Sequence, residues 1–152
     1  MQQTMENYTF LNKILIFAFA ILSLISCEPH EDKLELNFER QAIGQVFSIA
    51  DYCNEDFDSV YILHPYSNIE KTSFKNLKMS NSLRGVCNAN ISFDSFSTLL
   101  FISNGYVKAY SEIKNTAARF TTREMPNDLN LFPIKQQFIL DNERCVHIYD
   151  EQ

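Results

Sequence analysis

The chain has 152 residues, a length that suits one ordinary domain. Hydrophobic residues make up 45% of it, and it has only 3 Gly and 4 Pro, which excludes disordered, linker-like and collagen-like proteins. The formal charge is −6, which argues against a nucleic-acid partner because phosphate backbones are bound by basic surfaces.

The first element along the chain is an apolar segment, residues 14–25, which follows Lys13. As a helix it would span roughly 18 Å, well short of the roughly 30 Å hydrocarbon core of a bilayer. The segment is therefore predicted to be the hydrophobic part of a signal peptide that covers residues 1–26, and not a transmembrane helix.

The sequence that follows, Leu24-Ile25-Ser26-Cys27, resembles the lipobox of bacterial lipoproteins. The resemblance implies cleavage before Cys27 and acylation of that residue, so the expected partner is a membrane, bound through lipid on Cys27. The expected location is the outer membrane, facing either the periplasm or the cell surface. The alternatives are an ordinary secretory signal with an incidental Cys and a buried hydrophobic helix.

Residues 27–33 contain Pro and clustered acids, which predicts a solvated acidic tether. A single domain is then expected over residues 34–152. The acidic run also resembles the surface-export signals of some bacterial lipoproteins.

Two helices are predicted in the domain. Asp32 and Glu35 have the spacing of a capping box for the first, and residues 67–70 have it for the second. The apolar residues that recur at helical spacing are Phe38, Ala42, Ile43, Val46, Phe47 and Ala50 for the first helix and Ile69, Phe74 and Leu77 for the second.

About five antiparallel strands are predicted around these helices. Residues 57–63 are apolar on both faces, which is typical of a strand covered on both sides, and Pro65 ends the run. Residues 83–93 alternate between apolar and polar, which predicts a half-buried strand with a bulge at Gly85.

Two hairpins complete the prediction. Asn104-Gly105 between two strand-like runs is a strong hairpin signal, and a two-residue loop would place Ile102 opposite Val107 and Leu100 opposite Ala109. A second hairpin is predicted where residues 141–144 join two further apolar runs, 134–140 and 145–149. The expected fold is α+β, with two helices packed on one antiparallel sheet of about five strands.

Residues 50–120 are similar to a family of small bacterial extracytoplasmic proteins, many of them lipoproteins. The similarity lies in a pattern like Trp-Asp-x-x-Tyr-Ile-x-x-Pro-Tyr, with Phe57 at the Trp position and Pro65-Tyr66 at its end, and in a later hairpin that ends in Val107 and Tyr110. The resemblance implies a fold and a location, and it assigns no activity.

Little in the sequence indicates catalysis. The histidines His30, His64 and His147 are dispersed, no nucleotide or hydrolase motif is present, and neither a metal nor a cofactor is expected. The acids Glu55, Asp56 and Asp58 have the pattern of a solvated face more than of a catalytic pair. The cysteines Cys53, Cys87 and Cys145 allow three single disulfide pairings or unpaired thiols, and the sequence leaves this open.

Tyr61, His64 and Tyr66 flank Pro65 at a predicted strand end, where they could form either a rigid binding corner or part of the core. The leading hypothesis is a membrane-anchored, non-enzymatic binding or accessory module with a protein partner, which would use this corner or a sheet edge. The alternative is an immunity or inhibitor lipoprotein that neutralises a toxin or a cell-wall hydrolase. A small hydrolase is the third hypothesis.

Overall fold

A computed structural model describes residues 30–53, 56–70, 72–120 and 130–149. They form a mostly β fold with two mixed sheets and two short helices. The strands of the first sheet are β1 (Asp32–Lys33), β3 (Ser59–Leu63), β4 (Phe96–Ser103), β5 (Tyr106–Lys114) and β7 (Leu131–Pro133). Their spatial order is β1-β5-β4-β3-β7, with β1 parallel to β5 and the other pairs antiparallel.

The second sheet has four strands in the order β2-β8-β9-β6. Its strands are β2 (Val46–Ser48), β6 (Arg119–Phe120), β8 (Gln137–Leu140) and β9 (Cys145–Ile148), and β6 runs parallel to β9. The predicted single antiparallel sheet is therefore wrong, because the described strands divide between two sheets and two of the pairings are parallel.

The two sheets and the helices make three layers with two hydrophobic cores. The larger core lies between the sheets, and its members include Val60, Ile62, Leu99, Phe101, Phe120, Phe138, Leu140 and Val146. The smaller core lies on the opposite face of the five-stranded sheet, against the helices α1 (Thr72–Lys75) and α2 (Asn81–Asn90). Its fully or almost fully buried members are Tyr61, Leu63, Phe74, Leu83, Cys87, Leu100, Ile102 and Val107.

Strand β3 confirms the prediction of a strand covered on both sides. Val60 and Ile62 belong to the core between the sheets, whereas Tyr61 and Leu63 belong to the core under the helices. Successive side chains of a strand point to opposite faces, so a central strand between two cores has to be apolar at every position.

The Asn104-Gly105 hairpin is confirmed, with φ of 53° and 77° at the two turn residues. Ile102 lies opposite Val107 as expected, but Leu100 lies opposite Tyr110 and not opposite Ala109. A β-bulge causes the difference, because the register shifts between Phe101 and Ile102 and β5 has one extra residue there. The second predicted hairpin is also confirmed, as β8 and β9.

The first predicted helix is wrong. Its region contains β2 and a short 3-10 helix, Ile49–Tyr52, which Ser48 and Asp51 cap reciprocally. Gly44 has φ of +76°, and Ile43 is 51% exposed, so neither residue is part of a buried helical face. Phe38 and Phe47 reach the same core from separate segments of the chain, so their helical spacing in the sequence is a coincidence.

The strand predicted over residues 83–93 is also wrong, because most of it is α2. Leu83 and Cys87 are four residues apart, so they share a helical face and both are buried. Ser80 caps the helix, since its Oγ accepts a hydrogen bond from Leu83 N at 3.1 Å. Gly85 is exposed in the helix and forms no bulge.

The second predicted helix is reduced to α1, and Phe74 is its buried residue. Asn68 rather than Ser67 accepts the local hydrogen bond from Glu70 N, at 2.9 Å, so the expected capping box is not formed.

Part of the predicted tether packs on the folded structure. Asp32 and Lys33 pair with Ala109 and Tyr110, and Glu31 is buried. The Glu31 carboxylate accepts hydrogen bonds from Ser80 N and Ser80 Oγ, each at 2.6 Å, at the N-terminus of α2. A carboxylate is favoured there because the end of a helix presents free N–H groups and a partial positive charge.

Candidate functional site

The three residues of the predicted binding corner do not share a surface. Tyr61 is buried in the core under the helices, with its hydroxyl 3.4 Å from Ser73 Oγ. His64 is 3% exposed, whereas Tyr66 is 73% exposed and has φ of 60°. Among them only Tyr66 is available to a partner.

His64 is an unusual buried group because, among the described residues, neither of its ring nitrogens has a hydrogen-bond partner of good geometry. Burial lowers the pKa of His64, and the backbone of Phe120 opposes this only in part. The imidazole is therefore held in its neutral form in the interior.

Asp58 has a structural role. Its Oδ2 accepts a hydrogen bond from Asn104 N at 2.6 Å, which ties the start of β3 to the tip of the β4–β5 hairpin. Asp56 is exposed, and Glu55 lies outside the described residues. The acids singled out in the sequence therefore do not form a described catalytic pair.

Cys87 is a free, fully buried thiol, so the pairings that involve it are not formed. Burial raises the pKa of Cys87 to about 12, which makes it a poor nucleophile because the reactive species is the thiolate. Cys53 and Cys145 are both half-buried.

His147 pairs with Asp141 across the β8–β9 hairpin, with Nε2 2.8 Å from Oδ2. The other carboxylate oxygen of Asp141 accepts hydrogen bonds from Cys145 N at 2.7 Å and Glu143 N at 2.9 Å. The hydrogen bond with His147, followed by that from the Cys145 backbone, lowers the pKa of Asp141. This arrangement is typical of a side chain that orders a turn.

A groove of about 640 Å³ lies at the edge of the five-stranded sheet. It forms where the chain after β1 separates from β5. Leu34 N donates to Tyr110 O at 2.8 Å, and from there the chain turns towards Phe38 in the core between the sheets. The groove lies between residues 33–39 and the last part of β5, and we call it the β5-edge groove.

The β5-edge groove exposes backbone as well as side chains. Backbone N–H and C=O groups of successive strand residues point to alternate sides. The Tyr110 carbonyl accepts a hydrogen bond from the chain of β1, and the backbone of the next residue, Ser111, faces β4. The backbone of Glu112 therefore faces the side of β1 again and points into the groove. Within the described residues, the open part of this edge is centred on Glu112, because Lys114 O already accepts hydrogen bonds from Ala117 N at 2.8 Å and Ala118 N at 3.1 Å.

The walls of the groove differ in chemistry. Phe96, Ile113 and Ala117 contribute apolar surface on the β4–β5 side. On the opposite side Glu35 and Glu39 are exposed.

One end of the groove is closed by an ion pair between Lys33 and Glu112. Burial alone would raise the pKa of Glu112, but the hydrogen bonds from Lys33 and Asn90 outweigh it and lower that pKa. The Asn90 Nδ2 donor lies 2.7 Å from Glu112 Oε1. The pair fixes the end of β1 on β5, and the β5-edge groove begins directly after it.

The sequence suggested a sheet edge as a binding surface but not these residues. Lys33 and Glu112 are 79 positions apart, and Lys33 was placed in a solvated tether. Only the pairing of β1 with β5 brings them together, and a two-residue strand leaves no periodic signal in the sequence.

Among the described residues no group of three or more His, Cys, Asp or Glu side chains could hold a metal ion. In the same part of the chain, no helix is long and apolar enough to cross a membrane. In comparisons with known proteins, no family model matches the chain, and no curated protein or solved structure shows significant similarity to it.

Proposed function

We propose that this protein is a lipid-anchored extracytoplasmic binding module that takes up an extended segment of a protein partner in the β5-edge groove. The observation that supports this most directly is the backbone of Glu112, which faces the groove where the ladder between β1 and β5 stops. An incoming strand would add its own backbone hydrogen bonds to this edge. The anchor is lipid on Cys27, and the chemistry of the partner is set by the groove.

The charge of the groove favours a basic segment. Lys33 and Glu112 neutralise each other, which leaves Glu35 and Glu39 against Lys114. The surrounding sequence strengthens the bias, since residues 31–70 contain nine acidic and two basic residues. Because the open edge is short and centred on Glu112, we expect modest affinity, to which the membrane anchor adds a high local concentration.

The test is site-specific photo-cross-linking in intact cells of the producing organism. A photoreactive amino acid at Glu35 or Lys114 should form an adduct with one partner, whose cross-linked peptide is basic. The matched control is the same amino acid at Asn142, which is exposed in the β8–β9 turn. Adducts from Asn142 alone, or equal adducts from all three positions, would contradict the proposal.

A second candidate function is the neutralisation of a basic toxin or cell-wall hydrolase. The acidic run of residues 31–70 favours it, because a charged surface can block a basic enzyme without a groove. This function predicts steeply salt-dependent binding to one enzyme and loss of its activity. Binding that survives high salt, and leaves the partner active, would favour the groove.

A further inference from the structure

The two helices of this acidic protein lie in a segment that has basic but no acidic residues. Residues 72–93, which include α1 and α2, contain Lys75, Lys78 and Arg84 and no acidic residue. The formal charge of the whole chain is −6, so this segment differs from its surroundings. Lys75 is paired with Glu70, so Lys78 and Arg84 carry the positive charge that this segment presents.

The tip of the β4–β5 hairpin lies beside this segment and adds a further basic residue, Lys108. The backbones of Lys78 and Tyr106 form an isolated β-bridge, and Lys78 O accepts a hydrogen bond from Val107 N at 2.9 Å. The Nζ atoms of Lys78 and Lys108 lie 4.6 Å and 5.4 Å from the centre of the Tyr106 ring, which is itself 43% exposed. An exposed aromatic ring between two ammonium groups suits the headgroup region of a bilayer.

The chain that carries the lipidation site leaves the fold at the same place. Glu31 is held on Ser80, and it is only four residues from Cys27, a span of at most about 14 Å. Since Asp32 lies opposite Ala109, Glu31 lies beside Lys108, about two residues along β5 from Tyr106. A lipid on Cys27 would therefore hold this end of the molecule close to the membrane.

Acidic side chains also lie at this end of the molecule. Glu31 accepts hydrogen bonds from Ser80 and Asp58 accepts one from Asn104 N, and neither partner is a cation. Since Asp32 and Asp56 are exposed as well, the orientation rests on Tyr106, on the two ammonium groups beside its ring and on the place where the chain leaves the fold, and not on a net positive charge.

We propose that the hairpin tip and the N-terminus of α2 are the membrane-facing surface, with Tyr106 among the lipid headgroups and Lys78 and Lys108 on anionic phosphates. This orientation rests on the lipidation proposed above. It turns the acidic, groove-bearing parts of the molecule towards other proteins.

The chain contains no Trp, so a single introduced Trp reports its own depth in a membrane. The probe is Tyr106→Trp, which keeps an interfacial aromatic side chain. The control is Tyr66→Trp, which follows the end of β3 at the opposite end of the sheet, roughly 25 Å away by the length of β4. Each lipidated full-length variant is placed in phosphatidylcholine vesicles that contain a quarter phosphatidylglycerol and brominated lipid.

We expect bromine to quench the Trp at position 106 at least about twofold more than the Trp at position 66. Adding Lys78→Gln and Lys108→Gln should reduce the quenching at 106, whereas adding Lys114→Gln and Lys135→Gln should not. Equal quenching at both positions, or stronger quenching at 66, would overturn the orientation while vesicle flotation still showed the anchor. A protein that neither floats with vesicles nor carries lipid mass would overturn the anchor, and the orientation with it.

Discussion

Glu31 joins the segment behind the proposed lipidation site to the folded structure through both of its carboxylate oxygens. Glu31→Ala should lower the free energy of unfolding by about 1–3 kcal/mol, because it removes charge-assisted hydrogen bonds at a helix N-terminus and leaves Ser80 N unpaired. Glu31→Gln should lower it less, since one oxygen acceptor remains. Urea unfolding followed by circular dichroism measures both changes.

The matched control for Glu31 is Glu35→Ala, which removes an exposed carboxylate from the same segment and should change stability by no more than about 0.5 kcal/mol. If Glu31→Ala lowered the free energy of unfolding no more than Glu35→Ala does, the hydrogen bonds between Glu31 and Ser80 would contribute nothing to stability.

His64 should make the protein sensitive to mild acid. Its pKa in the folded protein lies below the ordinary value near 6.5, so the unfolded chain binds the proton first as the pH falls. The contribution of His64 to stability is complete above about pH 6.5 and is lost as the pH falls from there through the folded-state pKa, at no more than about 1.4 kcal/mol per pH unit. Unfolding by urea at a series of pH values between 5 and 7.5 measures this slope.

A non-titrating variant, His64→Asn, should flatten the pH dependence in this range, and the exposed His30→Asn should leave it unchanged. The comparison isolates His64 because all other titrating groups are common to the variants. An unaltered slope in His64→Asn would show that this imidazole titrates alike in the folded and unfolded states.

At the scale of elements, two glycines test one element that the sequence pattern missed, α2, and one that it predicted, the Asn104-Gly105 hairpin. Gly85 lies in α2 with nothing within 4 Å of an added Cβ, so Gly85→Ala should stabilise the protein by about 0.4–1 kcal/mol. Gly105 has φ of +77°, so Gly105→Ala should destabilise it by about 1 kcal/mol. Thermal unfolding of both variants gives the signs, and a loss of stability in Gly85→Ala would argue against the helix.

The elements that local sequence could predict are those with local causes. The Asn104-Gly105 turn needs positive φ at both residues, and β3 needs apolar residues on both faces, so each leaves a clear signal. The bulge in β5 leaves none, because Lys108 is an ordinary strand residue in the sequence and only the pairing of β4 with β5 shows the register shift.

For two elements the spacing of apolar residues in the sequence predicts the wrong type of secondary structure. Leu83 and Cys87 fit a strand at period two and a helix at four residues, and only the Ser80 cap and the packing under the five-stranded sheet decide for the helix. Residues 38–50 fit a helix, but the core between the sheets takes Phe38 and Phe47 from separate segments. In both cases tertiary packing overrides the local pattern.

At the scale of the whole molecule, two distant parts of the chain make the site. The β5-edge groove exists because the two-residue strand β1 pairs with β5 and then departs, and this pairing brings Lys33 to Glu112, which is 79 positions away in the sequence. The sequence indicated that a sheet edge could bind a partner, but which edge is open depends on the topology. The predicted corner at Tyr66 is not formed for the same reason, because Tyr61 lies in the core under the helices and His64 is buried.

The most direct test of a lipid-anchored binding module is the incorporation of labelled palmitate in the producing cells. The unchanged protein and Cys53→Ala, a control at another cysteine, should both be labelled and found in the membrane fraction. Cys27→Ala should remain an unlabelled precursor, because it lacks the sulfur that receives the lipid. If Cys27→Ala still incorporated palmitate, or if the unchanged protein were released without lipid, the account of an anchored module would be contradicted.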